Sequence, residues 1–385
     1  MTTGHSTFSP LPSLSEITEA DLPAIAMGAA FLGTGGGGDP YIGRLLATSA
    51  IRKHGPIRVV APDRLGEDDF AIAAAMMGTP SVIVEKLPTI AELERALAAL
   101  ERRLERKASV ILPAEMGGLN SMVPLAIAAQ RGLPVIDGDG MGRAFPELQM
   151  VTFTVHGHNA SPLALTNEGG ECVMIEAPTS AQTEVLARTL IVALGGSVMI
   201  ACYPMSGHAA RDCVVPGTLS LAHAIGSAIL RGRRNGDPYA ELLACLSRSP
   251  YYKHHALLGE GRIVEVNRRI EGGWTTGTCR IESARGESPD AARDVLEVVF
   301  RNEHLVARRN GATLAIVPDL IIVLDAETAE PITTESLKYG QRVKVVATSA
   351  AACMRTPAAL AVFGPHKFGL DEPFIPIETR LSTPN

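Results

Sequence analysis

The chain has 385 residues, of which 46% are hydrophobic and 20% charged, and its formal net charge is −6. This length predicts two domains, and the composition excludes a disordered chain. The negative net charge, without a broad basic stripe, argues against nucleic-acid binding. No apolar stretch is long enough to span a membrane, and the N-terminus lacks the regions of a signal peptide. The six cysteines form no CxxC pair, which is typical of reduced thiols, so we expect a cytoplasmic protein without membrane contact.

Helix-like and strand-like segments alternate in the first part of the chain. Thr18 is a candidate N-cap for a helix that ends near Phe31, and a second helix should begin near Pro40. The other predicted elements here are helices at 89–106 and 121–130 and strands at 57–60, 81–84, 109–112 and 134–136. Short apolar strands that alternate with helices predict a mainly parallel sheet with helices on its faces.

The second half has a different pattern. Predicted helices at 179–194 and 218–231 are separated by a strand at 197–202. Further strands are predicted at 262–266, 276–281, 295–300, 314–317, 320–324 and 342–346. Their spacing is typical of a compact β-rich module. We therefore predict an α/β protein with an N-terminal α/β domain at 15–165 and a C-terminal α+β domain at 166–375 that contains this module.

A glycine-rich run, GTGGGGDP, occupies residues 33–40. Glycines allow positive φ angles and bring backbone amides close to an anion, here beside the start of a helix. The run is neither a P-loop nor a dinucleotide fingerprint, because no Lys-Ser/Thr follows it and a helix precedes it, so no nucleotide cofactor is expected. Gly35, Gly36, Gly37 and Asp39 are candidates for contact with a carboxylate or a ring carbonyl of a ligand. The alternative is a tight structural turn.

A second polar segment, PAEMGGLN at residues 113–120, directly follows a predicted strand. Ligands of open α/β sheets usually bind at this carboxyl edge. Glu115 and Asn120 are therefore candidates for a catalytic and a substrate-binding residue, respectively. The alternative is that Glu115 caps the next helix and Asn120 turns the chain.

The third segment, VIDGDGMGRAFPE at residues 135–147, places two aspartates after a buried strand. Asp137 and Asp139 are two residues apart, and neighbouring carboxylates raise the pKa of one of them, which suits a general base or a cation site. Arg143 either pairs with an aspartate or holds a substrate carboxylate, and Glu147 is a further substrate-binding candidate. The alternative is a structural clasp between aspartate and arginine around a glycine turn.

Three histidines are candidate metal ligands. His156 and His158 would lie on one face if their segment is a strand, and His208 lies on a loop that is predicted to follow another strand. Three neutral imidazoles can hold one divalent transition metal such as zinc and leave a position for water or substrate. The alternatives are ordinary surface histidines and a reaction that uses the aspartates without a metal.

The glycine-rich run at 33–40, the segment at 113–120 and the segment at 135–147 together resemble the S-methyl-thiohydantoin desulfurase-like family. Members of this family are associated with hydantoinase- and oxoprolinase-type proteins. The resemblance covers roughly residues 15–375 and includes PGTLS at 216–220 and VPDLI at 317–321. It implies an N-terminal α/β domain, a C-terminal domain with a β-rich swivelling part, and a role in the breakdown of hydantoin and thiohydantoin rings. One branch of the family is a desulfhydrase of ergothioneine degradation that releases sulfide from 3-(5-oxo-2-thioxoimidazolidin-4-yl)propionate.

The resemblance implies hydrolytic desulfuration of a small heterocycle. Asp137, Asp139 or a metal-bound hydroxide would deliver water to the C2 carbon, with Glu115 in the same catalytic group. Amides of the glycine loops would stabilise charge on sulfur, and Arg143 would orient the substrate. Two alternatives stay open: a ring-opening amidohydrolase that works with a partner, and a non-catalytic subunit that binds the heterocycle. Homo-oligomer formation also stays open.

Overall fold

A computed structural model describes residues 11–78, 82, 87–271, 274–283 and 294–382 of the chain. The helices in the described residues are α1 Leu22–Leu32, α2 Pro40–His54, α3 Ile90–Leu104, α4 Val123–Arg131, α5 Thr152–Val155, α6 Ser180–Ala193, α7 Gly207–Cys213, α8 Thr218–Asn235, α9 Pro238–Arg248, α10 Pro357–Phe363 and α11 Ile377–Ser382. Short 3₁₀ helices occupy Glu19–Asp21, Pro62–Arg64, Gly118–Ser121, Ala352–Arg355 and Pro365–Phe368.

The strands of the first part are β1 Glu16–Ile17, β2 Ile57–Val60, β3 Phe70–Gly78, β4 Val110–Pro113, β5 Val135–Ile136, β6 Gly138–Asp139, β7 Leu163–Thr166, β8 Cys172–Ile175, β9 Ser197–Ser206 and β10 Val215–Pro216. The strands of the last part are β11 His255–Glu271, β12 Trp274–Glu282, β13 Val295–Arg301, β14 Glu303–Arg309, β15 Ala312–Ile316, β16 Leu320–Asp325 and β17 Arg342–Thr348.

An eight-stranded sheet forms the centre of the first part, in the order β1-β2-β5-β4-β3-β9-β7-β8. The four strands β2, β5, β4 and β3 run parallel, while β1 on one side and β9, β7 and β8 on the other are antiparallel to their neighbours. Because the parallel strands end at the same edge, the residues that follow β3, β4 and β5 lie close together there. This edge carries the candidate site.

Helices pack around this sheet. Helix α1 packs against α8, α2 against α4, and α3 against β7 and β9. The contact between α1 and α8 depends on glycine, because a Cβ atom on Gly28 would lie 1.7 Å from the carbonyl oxygen of Ala222, and one on Gly226 would lie 1.8 Å from that of Ala24. Side chains at these two positions would force the helices apart, so glycine permits a nearly backbone-to-backbone contact.

The last part of the chain forms a seven-stranded antiparallel sheet, in the order β15-β14-β13-β12-β11-β17-β16. Side chains from this sheet, among them Val298, Val323 and Val345, form a second apolar core. The alternation of buried and half-buried residues along β13 is that of a strand with one face on a core. The sheet is the β-rich module that the sequence predicts.

The predicted fold class is confirmed. The N-terminal part contains the parallel sheet, and the C-terminal part is antiparallel and β-rich. The central sheet extends through β7, β8 and β9, so its strands lie on both sides of the boundary predicted near residue 165. The strand predicted at 81–84 lies outside the described residues except for Val82. None of the helices in the described ranges has the length and apolar character needed to cross a membrane.

Candidate active site

A cavity of about 110 Å³ lies at the carboxyl ends of β3 and β4. Its walls come from the glycine run at 36–38, the end of β3 at 75–78, the loop at 114–120 and the segment at 141–151. The remaining wall residues belong to the second half of the chain, on α6, on β9 and around residues 302, 303 and 335. The cavity therefore lies where the two parts of the protein meet.

The glycine run forms one wall of the cavity through close backbone contacts. A Cβ atom on Gly36 would lie 2.1 Å from Oε1 of Glu303, and one on Gly37 would lie 2.7 Å from the backbone of Gly117. Gly37 also has a φ angle of 77°, and Gly38 of 73°, which favour glycine. Within the described residues, the amides of Gly37 and Gly38 donate no hydrogen bond. They are donors that a ligand can use.

Two other residues predicted for ligand binding near this run lie outside the cavity wall. Gly35 has its carbonyl bonded to the amide of Thr334 at 2.8 Å, and it packs against His304. Asp39 is exposed and caps α2, because its Oδ1 accepts a hydrogen bond from the amide of Tyr41 at 2.8 Å. Their contacts are those of a structural turn and a helix cap.

Glu115 is a buried carboxyl group in the cavity wall. Its Oε1 accepts a hydrogen bond from Nδ2 of Asn120 at 2.7 Å. Asn120 is itself fixed to the backbone of Met76 through both its amide nitrogen and its oxygen, at 3.0 and 2.7 Å. Burial raises the pKa of Glu115 to about 8, although the hydrogen bond from Asn120 acts in the opposite direction. A carboxyl group with this pKa can exchange a proton near neutral pH.

Glu303 is a second buried carboxyl group at the same cavity, and the sequence did not identify it. It begins β14, directly after Asn302, which has a φ angle of 58° in the turn from β13. Its side chain is 2% exposed, and Oε2 has no hydrogen-bond partner in the described part of the chain. Burial raises the pKa of Glu303 well above its usual value, and the charge of Glu115 raises it further. The two glutamates therefore influence each other's ionisation.

The two aspartates of the DGDG segment lie outside the cavity wall and bind backbone groups. Asp139 is fully buried and accepts hydrogen bonds from the amides of Met116, Met141 and Gly142 at 2.8 to 3.0 Å. Burial raises the pKa of Asp139 to about 7, although these hydrogen bonds lower it. Asp137 accepts from the amide and hydroxyl of Ser220 at 2.9 and 2.6 Å, near the start of α8. Both aspartates connect segments through backbone amides and Ser220, and within the described residues neither forms the predicted clasp with Arg143.

Arg143 is fully buried, and it also lies outside the cavity wall. Its guanidinium group donates to Oγ1 of Thr34 at 2.8 Å and to four backbone carbonyls, those of Ala144, His304, Pro318 and Asp319. Burial lowers the pKa of Arg143 to about 10. The arginine joins the glycine run to the C-terminal sheet, and its donors are used within the protein. Neither the predicted aspartate pairing nor a free anion site is formed.

Glu147, a predicted substrate-binding residue, lies in the cavity wall. Its carboxylate pairs with Arg301 at 3.2 Å and accepts a hydrogen bond from Gln149. The remaining polar wall residues were not identified from the sequence. They are Glu184, Arg188, Tyr203, Asn302 and Glu335. They come from α6, β9 and the last part of the chain, and no local motif marks them.

The histidines do not have the arrangement that their spacing predicts. His156 follows α5 and donates its amide hydrogen bond to Thr152, so the segment is a helical turn and His156 and His158 do not share a strand face. His208 lies in α7 rather than on a loop. Across the described ranges, no three His, Cys, Asp or Glu side chains are grouped so that they could hold a metal ion. The residues present therefore do not fit the predicted zinc site, and no step below uses a metal.

These features define the class of the protein: two joined parts, one with a parallel sheet and one antiparallel and β-rich, that enclose a small cavity with buried carboxyl groups. The chain belongs to the S-Me-THD-like family. The N-terminal domain of that family matches residues 20–177 and the C-terminal domain matches residues 178–377, which confirms the resemblance seen in the sequence.

A crystal structure of a protein from Chromobacterium violaceum is similar to this chain. The two share 27% sequence identity and superpose with a TM-score of 0.79, over 94% of this chain and 99% of the other. No match was found among curated proteins.

Proposed function

We propose that this protein is a hydrolase that removes sulfur from a thiohydantoin-type ring, converting the C2 thiocarbonyl to a carbonyl and releasing sulfide. The observation that carries the proposal is the pair of buried carboxyl groups, Glu115 and Glu303, at one small cavity. Membership of the S-Me-THD-like family supports the choice of ring. Replacing sulfur by oxygen requires proton transfer both from water and to sulfur, which two carboxyl groups can provide.

The surroundings of the two glutamates support different roles for them. Because Asn120 donates a hydrogen bond to Glu115, the ionised form of Glu115 is stabilised. Oε2 of Glu303 has no hydrogen-bond partner in the described residues, and a charge on Glu115 favours the protonated form of Glu303. The first proton lost by the pair therefore leaves Glu115 as a carboxylate base and Glu303 as a carboxylic acid.

The reaction proceeds through a tetrahedral adduct. Water attacks C2, its proton passes to Glu115, and the electron pair of the C=S bond moves to sulfur. The amides of Gly37 and Gly38 stabilise the negative sulfur, and Glu303 then protonates it. The adduct then collapses: its hydroxyl proton passes to the Glu303 carboxylate, the C=O bond forms, the C–S bond breaks and hydrosulfide leaves. The proton on Glu115 passes to hydrosulfide, so the sum is thiocarbonyl plus water giving carbonyl plus hydrogen sulfide.

The test is an assay of sulfide release from 2-thiohydantoins that carry an uncharged or a propionate substituent. We expect sulfide from at least one of them, and a product in which oxygen has replaced sulfur. Glu115→Gln and Glu303→Gln should each lower kcat by about 10²- to 10⁴-fold, the usual contribution of a general acid or base. Glu67→Gln is the matched control, because Glu67 is exposed and precedes the amino end of β3, at the opposite end from the cavity.

Other products would point to the other candidate functions. A product that has gained a whole water and kept its sulfur indicates a ring-opening amidohydrolase. Ligand-induced thermal stabilisation without turnover indicates a binding subunit. Wild-type rates in both glutamate variants, with unchanged melting temperatures, would remove the carboxyl pair from the mechanism.

A further inference from the structure

The charged residues in the cavity wall are mostly acidic. The described wall contains one arginine, Arg188, and five glutamates, which are Glu115, Glu147, Glu184, Glu303 and Glu335. An anion that enters such a cavity needs a cation or a set of free donors to replace the water it loses. In the proposed mechanism the amides of Gly37 and Gly38 and the proton of Glu303 serve the ring sulfur. The availability of Arg188 therefore decides whether an anionic substituent can be held.

Arg188 is already paired. Its Nε donates to Oε1 of Glu184 at 2.6 Å, and another guanidinium nitrogen donates to the carbonyl of Pro146 at 2.9 Å. The guanidinium carbon lies 3.9 Å from the centre of the Trp274 ring, so one flat side of the group is covered by the indole. A carboxylate at this position would compete with Glu184 for the same charge.

The neighbouring cations are also engaged. Arg301 pairs with Glu147 at 3.2 Å, and its guanidinium lies 5.0 Å from the centre of the Trp274 ring. Arg143 is buried and bonded to backbone carbonyls. The start of α2 is capped by the carboxylate of Asp39, which already interacts with the positive end of the helix.

We infer that the cavity accepts thiohydantoin rings whose substituent is uncharged or cationic and discriminates against rings that carry a carboxylate, such as the propionate. The inference rests on the proposed function for the identity of the ring. The order of preference follows from the engagement of Arg188 by Glu184 and Pro146 and from the acidic character of the wall. An amide or ammonium group can donate hydrogen bonds to the wall glutamates. A carboxylate has no proton to donate, and the donors it needs are already used by the ring sulfur, Glu184 and Pro146.

Calorimetric binding of hydantoins, in which a C2 carbonyl replaces the thiocarbonyl, tests the order of affinities without requiring turnover. The ligands are hydantoin-5-propionate, its propionamide and 5-(3-aminopropyl)hydantoin, which differ in charge but little in size. We expect the propionamide and the aminopropyl compound to bind at least ~10-fold more tightly than the propionate, or about 1.4 kcal/mol. Equal or tighter binding of the propionate, or no binding by any of the three, would overturn the inference.

Variants of the wall sharpen the test. Glu184→Gln removes the partner charge of Arg188 while keeping the size of the side chain, so the propionate should bind about 10-fold more tightly than to the wild type. Glu335→Gln removes an acidic wall group that pairs with neither Arg188 nor Arg301. It should reduce the ratio of the propionate Kd to the propionamide Kd several-fold. Glu67→Gln should leave the order unchanged. If both wall variants keep the wild-type affinities, the wall charges do not set the preference.

The two proposals fail in distinguishable ways. Absence of sulfide from every thiohydantoin, together with the expected binding order, defeats desulfuration and leaves the charge preference intact. Sulfide release that is fastest from the propionate, with the tightest binding of its oxygen analogue, defeats the charge preference and leaves desulfuration intact.

Discussion

At the scale of single residues, Asp139 illustrates a buried carboxylate that organises backbone. The amides of Met116, Met141 and Gly142 all donate to it, so it connects the loop after β4 to the turn after β6. In Asp139→Asn, the side-chain NH₂ group cannot accept, and at least one buried amide loses its partner. We expect a loss of about 1–3 kcal/mol in the free energy of unfolding, measured by urea denaturation. Unchanged stability together with abolished activity would restore Asp139 as a catalytic group.

Arg143 makes a second residue-scale prediction. Its planar guanidinium reaches Thr34 and the backbone at 318–319 at once, a geometry that an ammonium group cannot reproduce. Arg143→Lys should destabilise the protein by about 3–5 kcal/mol, since the buried carbonyls and the charge lose partners. Thermal and urea unfolding measure this. Arg234→Lys, at an exposed position near the end of α8, is the control, and equal effects of the two changes would contradict the role of Arg143.

The sequence located part of the site and missed the rest for a physical reason. Glu115 and Asn120 lie in the cavity wall at the carboxyl edge of the sheet, where a polar segment after a buried strand is expected to fall. Glu303 lies far along the chain, in a hairpin turn of another sheet, and only the tertiary fold brings it to Gly36. The polar sequence RNEH at that turn is too common a pattern to identify a site. Asp137 and Asp139 have the residue types of a catalytic pair, but their hydrogen bonds are those of connectors.

At the scale of elements, the glycine run controls the position of Glu303. Gly36 has no positive φ angle, so alanine is compatible with its backbone, but the added Cβ would lie 2.1 Å from the Glu303 carboxylate. Gly36→Ala should therefore displace that carboxyl group and lower kcat about 10²-fold, measured by sulfide release. Gly66→Ala is the matched control, because its Cβ would be no closer than 3.8 Å to any atom. Full activity in Gly36→Ala would show that Glu303 can move without loss.

Elements with strong local signals were predicted well. Helix α3 has a capping box between Thr89 and Glu92 and an amphipathic pattern, and it begins and ends close to the predicted positions. Strand β3 was missed because its sequence, FAIAAAMMG, is rich in alanine, which is uncommon in strands. The strand is stabilised by its neighbours β4 and β9 and is almost wholly buried. The prediction of a strand at residues 156–158 was wrong, because the alternating histidines suggested a strand where a short helix ends.

At the scale of the whole molecule, the buried glutamates make stability depend on pH. The pKa of Glu115 is about 8 in the folded protein against 4.5 for an ordinary glutamate, so the unfolded chain releases this proton first. The stabilisation is complete below pH 4.5 and is lost as pH rises towards 8. Glu115→Gln has no such proton. As pH rises through this window, the free energy of unfolding of the variant minus that of the wild type should therefore increase by about 1.4 kcal/mol per pH unit.

Urea denaturation of both proteins at several pH values measures this gain. The comparison uses a difference between two proteins, so the titration of groups that do not interact with Glu115 cancels, while Glu303, which does interact with it, contributes to the difference. A constant difference between pH 5 and 8 would show that Glu115 ionises normally in the folded protein and is unsuited to the role proposed for it.

The position of the cavity has a consequence for how this protein can evolve. Glu115 comes from the half that matches the N-terminal family domain, and Glu303 comes from the half that matches the C-terminal one. Neither half carries both of the proposed proton-transfer groups, and Gly36 and Glu303 constrain each other across the junction. Recombination that joins one half to the other half of a distant relative would unite surfaces that have not changed together. Selection should therefore keep the two halves encoded together in one gene.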